Sequence, residues 1–221
     1  MALAFWSWWS EILIWLPRAA WFGFWILSAA FYFGRGRWSL RAAAWKLLLA
    51  AVIFSLAYAA LLTLAQYRVW AGSEFSRPFI NSPVAEVVPL PEILRQYVFS
   101  SKLGYFLFYS FGRFWLGLLI SLLAAAAFYI FLRSLKKYQE RFFEDGETEL
   151  GFLAALIAGW PAFIVFLLLV FPGVVLVAIY RRLFTGEMYT TLGWPLVLAA
   201  LASLLWGKSL IIALGLRVLF I

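Results

Sequence analysis

Two glutamates, Glu147 and Glu149, stand directly ahead of an apolar run and are the side chains best placed in the sequence for chemistry. The chain contains no cysteine and no histidine. Thiolate nucleophiles, Cys- or His-based metal sites and the usual neutral-pH acid/base group are therefore excluded. Two facing carboxylates can act as acid and base in hydrolysis, because their mutual repulsion separates their pKa values. Asp145 is the single aspartate, so any such pair must include a glutamate. No motif predicts a metal or a cofactor.

The composition places these carboxylates in a membrane protein. Hydrophobic residues make up 66% of the 221 residues, aromatic residues 21% and charged residues only 13%, which leaves too little polar surface for a soluble particle. The net charge of +8 comes from basic residues beside apolar runs, as in cytoplasmic loops. The sequence thus predicts the lipid bilayer as partner, and no nucleic acid.

Apolar runs can be counted against the ~20 residues that a spanning helix needs. Four runs have a suitable length: 12–33, 42–65, 114–132 and 193–214. Pro17 interrupts the start of the first run and leaves open whether residues 1–16 cross the membrane. The aromatic segment 97–112, broken by glycines, is predicted to lie along the interface ahead of the third span. A fifth run, 150–180, is too long for one crossing and is divided by Gly159-Trp160-Pro161.

Loop charge indicates how the run 150–180 is divided. Basic residues occur in the segments 34–46, 133–149 and 181–192. A single crossing would place the last two segments on opposite sides, whereas a hairpin at Gly-Trp-Pro places them on the same side. The positive-inside rule therefore predicts an all-α protein with about six transmembrane helices, the fourth of them short. The three basic loops are predicted to be cytoplasmic in a plasma or inner membrane, and the proline-rich segment 67–102 external.

The segment GETEL, residues 146–150, opens an Ala/Leu-rich helix that ends in Gly159-Trp160. This pattern resembles the type IV prepilin peptidases, membrane aspartic endopeptidases of type IV pilus systems, in which Gly-Asp-x-Lys-Leu opens a helix at the same spacing. The segment TTLGWPLVLAALASLLWG, residues 190–207, is similar to the start of the family's final helix. The resemblance covers about residues 115–215. It implies a peptidase-like four-helix region, 103–221, after a two-helix region, 1–102, that carries the external loop.

The resemblance also implies roles for the acidic residues. Glu147 falls on a catalytic aspartate of the family, and Asp145 and Glu149 would contact the basic leader of a pilin-like peptide at the cytoplasmic face. The family's second catalytic aspartate falls on Gln66, which cannot complete an acid pair. Two remote glutamates, Glu74 and Glu11, are the remaining candidate partners near membrane ends. The resemblance therefore implies a diverged homologue without a competent pair of acids.

Two alternatives remain open from the sequence. The segment 143–149 is either a site inherited from a peptidase or a solvated acidic turn facing the positive end of the fourth helix. The protein is either peptidase-like or a non-enzymatic membrane scaffold, a subunit that packs against other membrane proteins. Under either alternative, the sequence predicts that Glu147→Gln leaves the fold intact.

Overall fold

The computed structural model describes residues 2–34, 39–83, 103–138, 143–184 and 191–219, with side chains from residue 11 onward. These residues form helices and no strand, which confirms the predicted all-α class. The helices are α1 (Ala2–Phe33), α2 (Leu40–Gly72), α3 (Arg77–Ile80), α4 (Gly104–Tyr138), α5 (Glu147–Ala158), α6 (Phe163–Phe184) and α7 (Gly193–Ala213), followed by a 3-10 turn, Arg217–Leu219.

Five of these helices are long and apolar enough to cross a membrane, namely α1 from Glu11 onward, α2, α4, α6 and α7. This finding confirms the prediction of an all-α membrane protein. The helix α5 has 12 residues and a length of only ~18 Å at 1.5 Å per residue, well short of the ~30 Å hydrocarbon core. The predicted short fourth helix is therefore present, between the third and fourth long helices.

Several helices extend beyond the apolar runs that predicted them. Pro17 lies inside α1, which continues on both sides of it. The helix α2 ends at Gly72, beyond the predicted limit at residue 65, and α4 begins at Gly104, inside the segment predicted to lie along the interface. A π-helical turn, Phe111–Trp115, interrupts α4 without ending it. Helix ends depend on capping and packing, which the extent of an apolar run does not report.

Parts of the predicted loops fall outside the described residues. These are 35–38 in the first basic loop, 84–102 in the proline-rich segment, 139–142 including Arg141, and 185–190. The described start of the proline-rich segment is helical, because α2 runs to Gly72 and α3 follows it.

The chain forms two compact units, the first from Met1–Val52 and Ile120–Phe220 and the second mainly from Ile53–Leu119. An aromatic cluster organises the second unit, because the Trp70 ring lies 5.1–6.3 Å, centroid to centroid, from four other rings: Phe79, Tyr105, Phe106 and Tyr109. The Trp115 indole N–H donates to Thr63 Oγ1 at 3.1 Å. The predicted regions 1–102 and 103–221 are defined by the family resemblance, whereas these two units are defined by contacts. The predicted regions therefore stay a prediction.

Contacts at the two ends of the first unit give the direction of its helices. At the end that we call the Glu147 end, Glu147 contacts Gly193 at the start of α7, and α2 begins against Gly146. At the opposite end, which we call the Gly-Trp-Pro end, Trp160 N–H donates to Ser121 Oγ at 2.8 Å. There, a Cβ added to Gly207 would lie 2.6 Å from Ala162 Cβ, so α6 and α7 approach closely.

These contacts mean that α4 and α6 run toward the Glu147 end, whereas α5 and α7 run away from it. Intermediate contacts agree, because Leu132 of α4 touches Gly151 of α5, and Pro195 of α7 touches Gly173 of α6 in the same sense. The basic C-terminal turns of α4 and α6 are therefore at the same end of the first unit. This is the hairpin that loop charge predicts, with α5, the Gly-Trp-Pro turn and α6 as its parts.

Candidate functional site

The candidate site begins with the turn that precedes α5. Gly146 has φ +90°, a left-handed conformation that side chains with a Cβ rarely adopt. A Cβ at this position would also lie 2.6 Å from the backbone N of Arg41. Glycine therefore serves two purposes here, since it permits the turn and lets the start of α5 approach the start of α2.

The carboxylate of Glu147, the predicted catalytic position, is enclosed at the centre of this arrangement. The residue is 0% exposed. Its Oε1 accepts a hydrogen bond from Gly193 N–H at 2.8 Å, and its Oε2 accepts bonds from Leu192 N–H at 3.2 Å and Glu144 N–H at 3.1 Å. Both oxygens are thus occupied by backbone donors, two of them at the N-terminus of α7.

The sequence at the start of α7 explains why a distant carboxylate is needed there. The first N–H groups of a helix lack partners within the helix and are usually satisfied by a Ser, Thr, Asp or Asn side chain. Here Leu192 occupies the capping position and provides no side-chain cap. Glu147, from another helix, accepts from the N–H groups of Leu192 and Gly193 at this start, and the positive end of α7 favours its negative charge.

Opposing effects act on the pKa of Glu147, which lies outside the five long apolar helices. Burial raises this pKa because the charged form loses its contact with water. The backbone hydrogen bonds from residues 144, 193 and 192 lower it, and the nearby carboxylate of Glu144 raises it. Burial is the largest effect, so the pKa lies above its usual range.

Glu149 is also buried, at 4% exposure, and its partners differ from those of Glu147. Thr148 Oγ1 donates to Glu149 Oε2 at 2.7 Å, and Arg41 Nε lies 3.3 Å from Glu149 Oε1. The Arg41 side chain is largely exposed, so the pair joins a buried acid to a cation at the surface. This contact fixes the start of α5 to the start of α2.

An aromatic residue of α1 completes the Glu147 end. Tyr32 is 1% exposed and packs against Gly193, where an added Cβ would overlap its ring. The Tyr32 hydroxyl is 3.3 Å from Thr191 Oγ1, and the ring also meets Trp194 edge-on. The end of α1 and the starts of α2, α5 and α7 therefore converge around two buried glutamates.

The structure separates the three acidic residues that the sequence groups together. Asp145 is exposed, whereas Glu147 and Glu149 are buried and bonded within the protein. The alternative of a solvated acidic turn is therefore wrong for these two glutamates, although their position at helix N-termini is as that alternative expected. The physical reason is that unsatisfied backbone donors and Arg41 offset the cost of burying the carboxylates.

The sequence offers several candidates for an acid that pairs with Glu147. Glu11 precedes Tyr32 by 21 residues in α1, a distance of ~31 Å along the helix, so it is not the partner of Glu147. Gln66 and Glu74 belong to the second unit. The correspondence of Gln66 to the family's second aspartate and the candidacy of Glu74 as a partner acid both stay predictions. The acid with a direct electrostatic effect on Glu147 is Glu144. Within the described residues, no group of three or more acidic side chains could hold a metal.

Sequence reasoning identified Glu147 but missed the backbone N–H groups that it accepts from, which are those of Glu144, Leu192 and Gly193. The sequence carries no clear signal of these contacts, because Thr191 stands directly before Leu192 and is itself of a type that caps helices. The close approach of Gly146 to α2 likewise leaves no recognisable pattern in the sequence.

Comparison with protein-family models, with curated proteins and with solved structures finds no match to this chain.

Proposed function

We propose that this chain is a non-proteolytic membrane scaffold, diverged from a prepilin-peptidase-like ancestor. The observation that carries the proposal is the enclosure of Glu147, which has no exposed surface and gives both oxygens to backbone N–H groups. An acid/base carboxylate must reach water and the substrate within hydrogen-bonding distance. An enclosed carboxylate that satisfies helix donors supports packing instead.

The spacing of GETEL to Gly159-Trp160 is the support for a peptidase ancestor. In this proposal, the ancestral acid position acquired a structural purpose after its partner was replaced by Gln66. The longer glutamate stem allows the carboxylate to reach α7, where it satisfies two N–H groups.

A proteolysis assay tests the absence of activity. Purified wild type is incubated with a pilin-like substrate bearing a basic leader, with an active prepilin peptidase as the positive control. We expect cleavage by the positive control alone. Cleavage by the wild type that disappears in Glu147→Gln, with folding retained, would contradict the proposal.

The scaffold role is supported by apolar side chains that face outward from the long helices. On α6 these exposed side chains include Val175 and Leu176, each more than half exposed. In a membrane such a face contacts either lipid or another protein. A photo-crosslinking amino acid at position 176, activated in native membranes, should give a discrete protein adduct. Adducts with lipid alone would count against a scaffold.

Orientation in the membrane follows from the charges at the Glu147 end. Arg41, together with the basic turns that end α4 and α6, lies at this end, and the positive-inside rule assigns such an end to the cytoplasm. Because the chain has no cysteine, single cysteines at positions 136 and 182 can be labelled from either side. Both should react from the cytoplasmic side, and opposite accessibility would overturn the arrangement.

A second candidate function, binding of a pilin-like leader without cleavage, is favoured by the exposure of Asp145 beside the buried glutamates. Binding of a fluorescent basic leader peptide should weaken in Asp145→Asn, because the peptide would lose its accessible carboxylate. A charge-matched scrambled peptide is the control. Equal binding of both peptides by both proteins would exclude this function.

A further inference from the structure

An apolar groove lies between α4 and α6 in the first unit. It has a volume of about 330 Å³, and its lining includes Ala124, Ala127, Phe128, Phe131, Phe163 and Phe171. The two alanines leave the space, and the phenylalanine rings form the walls. Every lining side chain is apolar, so the groove offers a ligand no hydrogen bond.

The size and surroundings of the groove restrict its occupant. Its volume is at the lower end of the ~300–1,000 Å³ typical of small-ligand cavities. Because α4 and α6 are both long enough to span the bilayer, acyl chains of bilayer lipids are available beside it. A single hydrocarbon chain fits both its shape and its chemistry.

The end of the groove nearest Ala124 is at the same end of the first unit as two basic residues. Ala124 is one helical turn from Ser121, which binds Trp160 N–H, and the Trp160 indole N–H donates to Leu219 O at 3.1 Å. The turn that contains Arg217 is therefore at this end, and the Arg217 side chain is exposed. Lys208, also exposed, follows Gly207 at its close contact with Ala162. Cations at a membrane surface attract anionic headgroups.

We propose that the groove binds one acyl chain of an anionic phospholipid whose phosphate lies near Arg217 and Lys208. The short side chains of Ala124 and Ala127 leave room for the chain between the helices. The lipid would cover the exposed edges of Phe131 and Phe171 and remain bound when neighbouring lipids exchange. This inference is independent of the proposed scaffold role, since it requires only the contacts within the first unit.

Photolabelling of the wild type tests the position of the acyl chain. Phosphatidylglycerol with a diazirine on one acyl chain is mixed with the purified full chain in neutral nanodiscs, activated, and the labelled peptides are sequenced. We expect labels concentrated in residues 124–131 and 163–171. Labels spread evenly over all lipid-facing helices would overturn the proposal, as would protection of these segments by a second copy of the chain or by a copurified protein.

Two sets of variants separate the groove from the headgroup. Ala127→Trp fills the groove and should abolish the concentrated labelling, whereas Leu205→Trp, at an exposed position on α7, should not. The double variant Lys208→Gln/Arg217→Gln should lose most of the preference for phosphatidylglycerol over phosphatidylcholine, an effect of at least roughly fivefold. An unchanged preference would overturn the headgroup assignment, and unchanged labelling in Ala127→Trp would overturn the groove assignment.

Discussion

At the Glu147 end of the first unit, helices meet through carboxylates and backbone donors, whereas at the Gly-Trp-Pro end they meet through neutral contacts. The first end uses Glu147 and Glu149, both buried. The second uses the Ser121 hydroxyl and the close packing of Gly207 on Ala162. Charged hydrogen bonds require defined partners, so the Glu147 end sets which helix starts meet, and the opposite end requires only small side chains.

The helix α5 shows the same contrast along its own length. Ten of its twelve residues are buried, while the five long helices have at most 39% of their apolar windows buried. A short helix surrounded by others in this way cannot be lipid-facing on most of its surface. Its two glutamates are bonded to protein groups.

The largest test of this contrast is the removal of the carboxylate in Glu147→Ala. Three backbone N–H groups would lose their acceptor, and each unsatisfied buried donor costs about 1–3 kcal/mol. We expect a loss of at least about 3 kcal/mol in the free energy of unfolding, measured by titration with denaturing detergent.

Asp145→Ala is the matched control, because Asp145 is exposed on the same turn and should change stability by less than about 0.5 kcal/mol. Equal effects of the two substitutions would remove the distinction between buried and exposed acids. The same reasoning revises the prediction for Glu147→Gln, whose amide would direct N–H groups toward N–H donors and so destabilise the fold.

The next test is Gly146→Ala. Residue 146 is held at φ +90°, and its new Cβ would overlap the backbone of Arg41. Backbone strain and steric overlap should together lower the free energy of unfolding by roughly 2 kcal/mol. The comparison is Gly23→Ala in α1, where an added Cβ meets nothing within 4 Å and should stabilise the helix slightly. Similar thermal stability of the two variants would contradict the close approach of α5 and α2.

A smaller effect is expected at the Gly-Trp-Pro end from Ser121→Ala. This substitution removes the acceptor of Trp160 N–H and should cost about 1 kcal/mol. The loss should be clearly below that of Glu147→Ala in the same denaturation assay. A greater loss at Ser121 would reverse the ranking of the two ends.

The smallest predicted effect is a pH dependence that Glu147 confers. Because burial raises the pKa of Glu147 in the folded protein, its stabilising contribution is fully present below the unfolded value of about 4.3 and declines as pH rises through the raised folded value. The stability of the wild type relative to Glu147→Gln should therefore decrease between acidic and neutral pH. Denaturation of both proteins across this range checks the sign, and an increase would contradict it.

The amino-acid sequence alone determined the class of this protein, its long helices and the direction of the hairpin. In a membrane, the backbone polar groups of long apolar runs can be satisfied within helices, and loop charge predicts which helix ends lie on the same side. Only the tertiary structure decided the state of GETEL. The fate of Glu147 depends on Leu192 and Gly193, more than 40 residues away, because the unsatisfied start of α7 attracts the carboxylate into the interior. Burial of Glu149 likewise depends on Arg41 of a distant helix. A local sequence pattern reports which groups can ionise, but their solvation is set by the helices that enclose them.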